Sequence, residues 1–359
     1  MPANLAIANV ECQMQAFSRS ISNQRGVSIL RALVEEYIDT AAPVASESIA
    51  RRSAVKVSPA TIRNKMAELE EEGYIVRPHI SSGGVPSDKG YRFYVESLEE
   101  GLEPPLGLQR QIMQRFGSVE RDLEAWMKLA SVVLSDLSDN MAVVTYPRSP
   151  SPRVKNIQIV HLQDFLAMLI VVLEETRLRK HLIPLEDLYT QGDLTSVANK
   201  LNAAYSGLTY RDILEKTVEF TPFEELVRQD TLGILKGYDE EQEIDHTVDG
   251  LRLLLAQPEF EDREKALGVA EILEERLLIR SILSQASEAG DVAVHIGQEN
   301  SEESLKPFSV VLCHYGVPED ATGVVTVLGP TRMEYSNVIG GVRFMSSFMS
   351  ELVTSVRGG

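Results

Sequence analysis

The sequence predicts an α+β chain of several domains, and three observations predict it. Residues 24–98 run in the order helix, short helix, turn, capped helix, hairpin, which is the order of a winged helix-turn-helix. Apolar, β-rich runs fill 141–185 and return at 292–328, so one α/β domain is divided along the chain. Between the two halves the pattern turns helical, which marks an insert. A chain of 359 residues can hold two or three such domains.

Met1 to Asn23 carries no sustained period and is expected to be a flexible leader. From Gln24 to Thr40, Ile29, Leu30, Leu33, Val34, Tyr37 and Ile38 recur at helical spacing. Pro43 stops that helix and favours an extended link. Ser46 to Arg52 is a second, short helix with Ser46 as N-cap and Ile49 inward. A turn over 53–57 leads to the third helix. There Ser58 is the N-cap and Pro59 the first helical residue, where a missing N–H costs nothing. Ile62, Met66 and Leu69 share one face, while Thr61, Arg63 and Asn64 point away from it. Gly73 is placed to end the helix. Tyr74-Ile75-Val76 then forms one arm of a ribbon, and Ser81-Ser82-Gly83-Gly84-Val85-Pro86 forms its tip. Tyr91 to Val95 either continues the other arm or opens a helix.

Residues 99–107, with Glu99, Glu100, Glu103, Pro104 and Pro105, read as a linker. One long amphipathic helix is expected from Leu108 to Asn140. Strands follow at Met141–Tyr146, Lys155–Leu162, Phe165–Leu173 and Leu178–Leu185, in an antiparallel meander. Helices are expected at Asp193–Tyr205, Leu208–Leu214 and Pro222–Leu235, then an acidic loop at Tyr238–Asp245. Further helices at Gly250–Ala256 and Asp262–Ser284 precede strands at Val292–Ile296, Phe308–His314 and Gly323–Leu328. A last helix from Thr331 to Val356 opens on a capping box, Thr331 with Glu334. The α/β domain therefore takes 108–185 and 247–359, and the insert takes 186–246.

A net charge of −18 argues at first against a nucleic-acid partner. The distribution reverses that inference. Between Gln24 and Leu98 ten Lys and Arg balance ten Asp and Glu, so the whole acidic excess lies elsewhere. Within that segment Arg51, Arg52, Lys56, Arg63 and Lys65 cluster where a helix-turn-helix meets phosphates. No apolar run is long enough to span a membrane, and the N-terminus lacks a secretory pattern. Two isolated cysteines, Cys12 and Cys313, fit a reducing cytoplasm better than a disulfide scaffold.

No catalytic constellation emerges, so no enzyme is expected. The six histidines are isolated from one another, and neither a phosphate loop nor a nucleophile elbow is present. No metal or cofactor is therefore expected. Cys313 and His314 are neighbours on a strand and point to opposite faces, which favours a buried structural cysteine over a nucleophile–base pair. Gly329-Pro330-Thr331-Arg332-Met333 reads either as an anion site at a helix start or as a capped helix with Arg332 in a structural ion pair. The second is favoured.

Several motifs together strongly resemble one family. They are Ser58-Pro59-Ala60-Thr61-Ile62-Arg63-Asn64, Met66-Ala67-Glu68-Leu69-Glu70, Gly73-Tyr74, Pro78-His79 and Pro86-Ser87-Asp88-Lys89-Gly90-Tyr91-Arg92-Phe93-Tyr94-Val95. Downstream, Gln257-Pro258-Glu259-Phe260 and Gly329 to Met333 with Tyr335 extend the likeness. The family is that of the heat-inducible transcription repressor HrcA, and the likeness runs from about Gln24 to the C-terminus. It implies a winged-helix DNA-binding domain, a GAF-like α/β domain, and an inserted, mainly helical dimerising domain. It further implies a homodimeric repressor of chaperone operons that binds an inverted-repeat operator in double-stranded DNA. Its activity would be maintained by a GroEL-type chaperonin. The family usually carries an Arg where this chain has Gly84, which shifts the wing's share of binding to Arg77, Lys89 and Arg92. On this reading Thr61, Arg63 and Asn64, with Ser58 beside them, face base edges and nearby backbone, while Arg51, Arg52, Lys56 and Lys65 contact phosphates. Two other classes remain beside it: a small-molecule-sensing winged-helix regulator using the GAF-like domain, and an enzyme fused to a DNA-binding module, which the empty motif search disfavours.

Overall fold

Three helices and a two-stranded ribbon begin the computed structural model of the chain. It describes residues 24–357 except 53–56, 80–81, 99–102, 120–121, 150, 175–177, 241–244, 262–268, 270–290 and 318–320. The expected leader, most of the 53–57 turn and nearly all of the expected helix at 262–284 lie outside the described residues. Helix α1 (Gln24–Thr40) buries Ile29, Leu30, Leu33 and Val34, and α2 (Ser46–Arg52) buries Ile49. Both pack on α3 (Pro59–Glu71), which turns Ile62, Met66 and Leu69 into the same core. Strands β1 (Ile75–Val76) and β2 (Val85–Pro86) pair antiparallel, Ile75 with Pro86 and Val76 with Val85.

The return arm of the ribbon is therefore Val85-Pro86, which the sequence reading had placed in the tip. Tyr91 to Val95 lies in helix α4 (Asp88–Glu96), capped by Ser87, whose hydroxyl accepts from Gly90 N–H. Gly84 is not at a tip either. It is buried at the base of the wing, bridged to Val44 by two backbone hydrogen bonds of 2.9 Å. A Cβ there would meet Met66 and Ile75 side chains at 3.0 Å.

The expected helix 108–140 is two helices, α5 (Leu106–Gly117) and α6 (Leu123–Ser138). Its apolar stripe is continuous, yet Asp122 restarts the chain as an N-cap, accepting from Ala125 N–H at 3.2 Å. Beyond α6 five strands form one antiparallel sheet: β3 (Met141–Thr145), β7 (His246–Asp249), β8 (Ala293–Ile296), β9 (Phe308–Val317) and β10 (Ala321–Pro330), in the order β7-β3-β10-β9-β8. Helices α6 and α11 (Tyr335–Arg357) cover one face. The other face packs Val143, Val310, Leu312 and Val324 against Leu254 of α10 (Leu251–Leu255), Phe260 and Val269. The last helix begins at Tyr335, not at Thr331, because Gly329 and Pro330 still pair with β9. Thr331 makes no cap; its carbonyl accepts from the Tyr335 hydroxyl at 2.8 Å.

Strands β4 (Val154–Gln163), β5 (Leu166–Leu173) and β6 (Leu178–Pro184) form the expected meander, but as a sheet of their own. With α7 (Gln191–Tyr205), α8 (Tyr210–Glu215) and α9 (Pro222–Glu240) they build a separate core around Leu169, Val171, Leu194, Leu201, Tyr205 and Leu235. The sequence reading left these strands with the central domain and opened the insert at 186; sheet pairing and core put them with the inserted helices. Tyr238 to Glu240, expected in a loop, end α9. Alternation alone cannot say which of two sheets a strand joins.

Candidate nucleic-acid interface

Helix α3 is fixed at both ends by its own sequence. The Ser58 hydroxyl accepts from Thr61 N–H at 3.2 Å and also bonds the Thr61 hydroxyl at 2.9 Å. Ser58 thus serves as the cap that holds the first turn. At the other end Gly73 N–H donates to Glu70 O and Tyr74 N–H to Leu69 O, a Schellman pattern that requires the positive φ of Gly73, +78°. Between these ends the buried stripe fixes the helix's rotation. Thr61, Arg63 and Asn64 consequently face outward. Arg63 and Asn64 have no side-chain partner among the described residues.

The other basic residues singled out from sequence are held within the chain. Arg51 donates to Ser48 Oγ at 3.3 Å. Arg52 bonds Asp39 at 2.6 Å and Glu36 at 3.0 Å, and those two hydrogen bonds push its pKa further up. Lys65 pairs with Glu68 at 2.5 Å and Arg77 with Glu70 at 3.3 Å. Lys89 donates to the Glu72 carbonyl at 2.7 Å and lies 4.1 Å over the Tyr74 ring. Exposed pairs of this kind are worth about 0–1 kcal/mol, so phosphate oxygens can replace the carboxylates at little cost. Lys56 lies outside the described residues.

Arg92 is placed elsewhere. It points away from the ribbon into the central domain and chelates Glu299 with Nε and Nη2; Nη2 also donates to Val294 O at 2.6 Å. Burial works against its charge, and Glu299 outweighs burial, raising its pKa. Arg332, weighed as an anion site, is an ion-pair hub. It bonds Glu259 at 2.7 Å, Gln257 at 2.8 Å and the Ile38 carbonyl of α1 at 2.7 Å. Sequence reasoning missed the partners across this junction, Arg92 with Glu299 and Asp88 with Gln298 N–H. They stand more than two hundred residues apart, and no local pattern joins them.

Among the described residues no group of three His, Cys, Asp or Glu side chains is placed to hold a metal ion, and no helix is long and apolar enough to cross a membrane. A capped, outward-facing helix followed by a wing, carried on an α/β domain, is the build of a winged-helix transcription regulator. Comparison with known proteins narrows this. The family model for the HrcA protein C-terminal domain matches residues 124–339. A heat-inducible transcription repressor HrcA from Dehalococcoides mccartyi is 39% identical over 334 residues, covering 93% of this chain and 96% of the relative. The repressor of the same name from Herpetosiphon aurantiacus is 36% identical, covering 94% and 96%. The chain belongs to the HrcA family. A crystal structure of a hypothetical protein shares the fold, with a TM-score of 0.58 at 22% identity over 93% of this chain and 98% of the other.

Proposed function

We propose that this chain is a homodimeric, heat-inducible transcription repressor that binds an inverted-repeat operator through α3. Its curated relatives are named for that activity, and none of it requires a catalytic step. The observation that carries the reading is Arg63: exposed, unpaired among the described residues, and set in the second turn of a helix whose cap and buried stripe fix its direction. A planar guanidinium so placed fits the paired acceptors of a guanine in the major groove. Thr61 and Asn64 flank it. Arg51, Arg52 and Lys65 on neighbouring turns supply phosphate contacts by exchanging their internal partners, and Lys56 joins them. Arg77 and Lys89 supply the wing's share.

An inverted repeat needs a two-fold protein. The outer face of the insert's sheet supports one. Val160, Met168 and Leu182 line up across its three strands, with Leu182 at 53% exposure and Leu178 at 49%. The insert is accordingly the dimerising domain, residues 154–240. Maintenance by a GroEL-type chaperonin rests on the family likeness alone. It predicts that chaperonin slows the loss of operator binding on heating.

The experiment is selection of duplexes from a random-sequence pool by the purified full chain, followed by gel-shift titration at about 0.15 M salt. An inverted repeat bound far more tightly than scrambled DNA is the expected result. Equal affinity for every duplex would end the repressor reading.

A further inference from the structure

The winged helix does not hang on a free tether. Its core is continuous with the helical layer of the central domain, where Tyr91 of α4 packs on Tyr335 of α11 with ring centroids 5.9 Å apart and both side chains buried. Polar contacts surround that aromatic centre. Arg92 grips Glu299 and Val294 O, Asp88 accepts from Gln298 N–H at 3.0 Å, and Arg332 holds the carbonyl of Ile38 at the end of α1. These contacts use two separate elements of the winged helix, α4 and α1, and none of them lies on α3. Relative motion is the default between domains joined by small polar interfaces. Here a two-pronged guanidinium–carboxylate pair, which fixes direction as well as distance, opposes it.

We propose that Arg92, with Glu299 as its seat, is a positioning residue: it sets the angle at which α3 is presented and thereby the half-site spacing that a dimer accepts. The inference rests on the repressor reading above. A dimer reads two half-sites at the separation of its two recognition helices, so any rotation of the winged helix on its own chain shifts that separation. The residue contacts no DNA. Its guanidinium is occupied within the chain, with 25% of the side chain exposed. It acts through the angle of the helix that does.

The test compares the full chain with Glu299→Gln, Arg92→Lys and the double swap Arg92→Glu/Glu299→Arg. The probes are the inverted repeat selected by the parent, versions with the spacer one base pair longer or shorter, and a duplex carrying a single half-site. The parent is expected to prefer its own spacing by about tenfold, and each single variant by about twofold, because each loses a prong or the charge of the pair. Single half-site affinity stays at the parent's level, and the double swap recovers the preference. An unchanged spacing profile in Glu299→Gln and Arg92→Lys overturns the inference, even if the melting temperature falls. Loss of single half-site binding in both also overturns it, since Arg92 would then take part in reading the DNA. Failure of the parent to select any inverted repeat strikes the repressor reading instead.

Discussion

The Glu70 carboxylate receives Arg77 at 3.3 Å, while Arg63, about two helical turns before it on α3, has no side-chain partner among the described residues. From sequence, the structural alternative for that arginine is a salt bridge to Glu70 or Glu71, and among the described residues it forms neither. Arg63→Ala is therefore expected to leave the melting temperature within the scatter of surface substitutions, about 0.5 kcal/mol. Operator binding should weaken by about 1–3 kcal/mol and lose preference at one base pair of each half-site. Gel-shift titrations on single-base operator variants measure both. An operator affinity equal to the parent's would remove α3 as the reading helix.

Helix α4 illustrates how a local rule can change sign in context. Gly90 sits in its first turn against the backbone of Tyr74, just before β1, and a Cβ there would overlap the Tyr74 carbonyl oxygen. Gly to Ala inside a helix ordinarily gains about 0.5–1 kcal/mol. Here the methyl has backbone on its far side and nowhere to go. Gly90→Ala is expected to lower stability by about 1–3 kcal/mol, as overpacking does. Urea unfolding followed by circular dichroism reads it, and a stabilised variant would contradict the packing described.

Much of the winged helix was legible in the sequence because its signals are local: Ser58 and Pro59 open α3, the Ile62-Met66-Leu69 stripe sets its rotation, and Gly73 closes it. The identity of the return strand was not. Two residues, Val85 and Pro86, are too short for any period, whereas Tyr91 to Val95 has the apolar content of an arm. The junction was opaque for a different reason. Arg92 has the charge, neighbourhood and exposure pattern of a wing cation until a partner from position 299 is placed beside it. The strands at 154–184 were found, but the sheet to which they belong depends on pairing that sequence spacing does not encode.

Glu334 lies at the same junction and carries a pH signature. Burial raises its pKa, Asp39 and Glu35 of α1 raise it further, and Arg52 partly offsets them; Asn337 donates to its Oε2 at 3.0 Å. A carboxyl with a raised folded-state pKa binds its proton more tightly in the folded chain, so stability falls as pH rises from the usual carboxylate range through the raised value. Glu334→Gln keeps an acceptor for Asn337 and removes the charge. The variant is expected to be more stable than the parent at neutral pH, with the gap closing as pH falls through the carboxylate range. Thermal melts across pH test this, and a gap that widens toward acid would reverse the sign argued here.

The outer face of the insert's sheet gives the sharpest test of the dimer. One edge of that sheet is closed from within: Gln191 and Asn202 of α7 bond both backbone groups of β4, taking His161 N, Ile159 O, Ile157 N and Ile157 O at 2.7–2.9 Å. A strand so covered cannot accept another chain along that edge, and an apolar surface open to a second copy is the face across Val160, Met168 and Leu182. Leu182→Glu places a charge at the β6 end of that row without touching the buried Ile183 and Leu169. The folded monomer should keep its stability to about 0.5 kcal/mol, since the residue is exposed in the single chain. Sedimentation equilibrium should show a monomer at concentrations where the parent, on the proposed reading, sediments as a dimer. Binding to the full inverted repeat should fall toward the affinity of one half-site, while binding to a single half-site is unchanged. A variant that sediments as a dimer with parental affinity would mean that the two copies meet through some other surface.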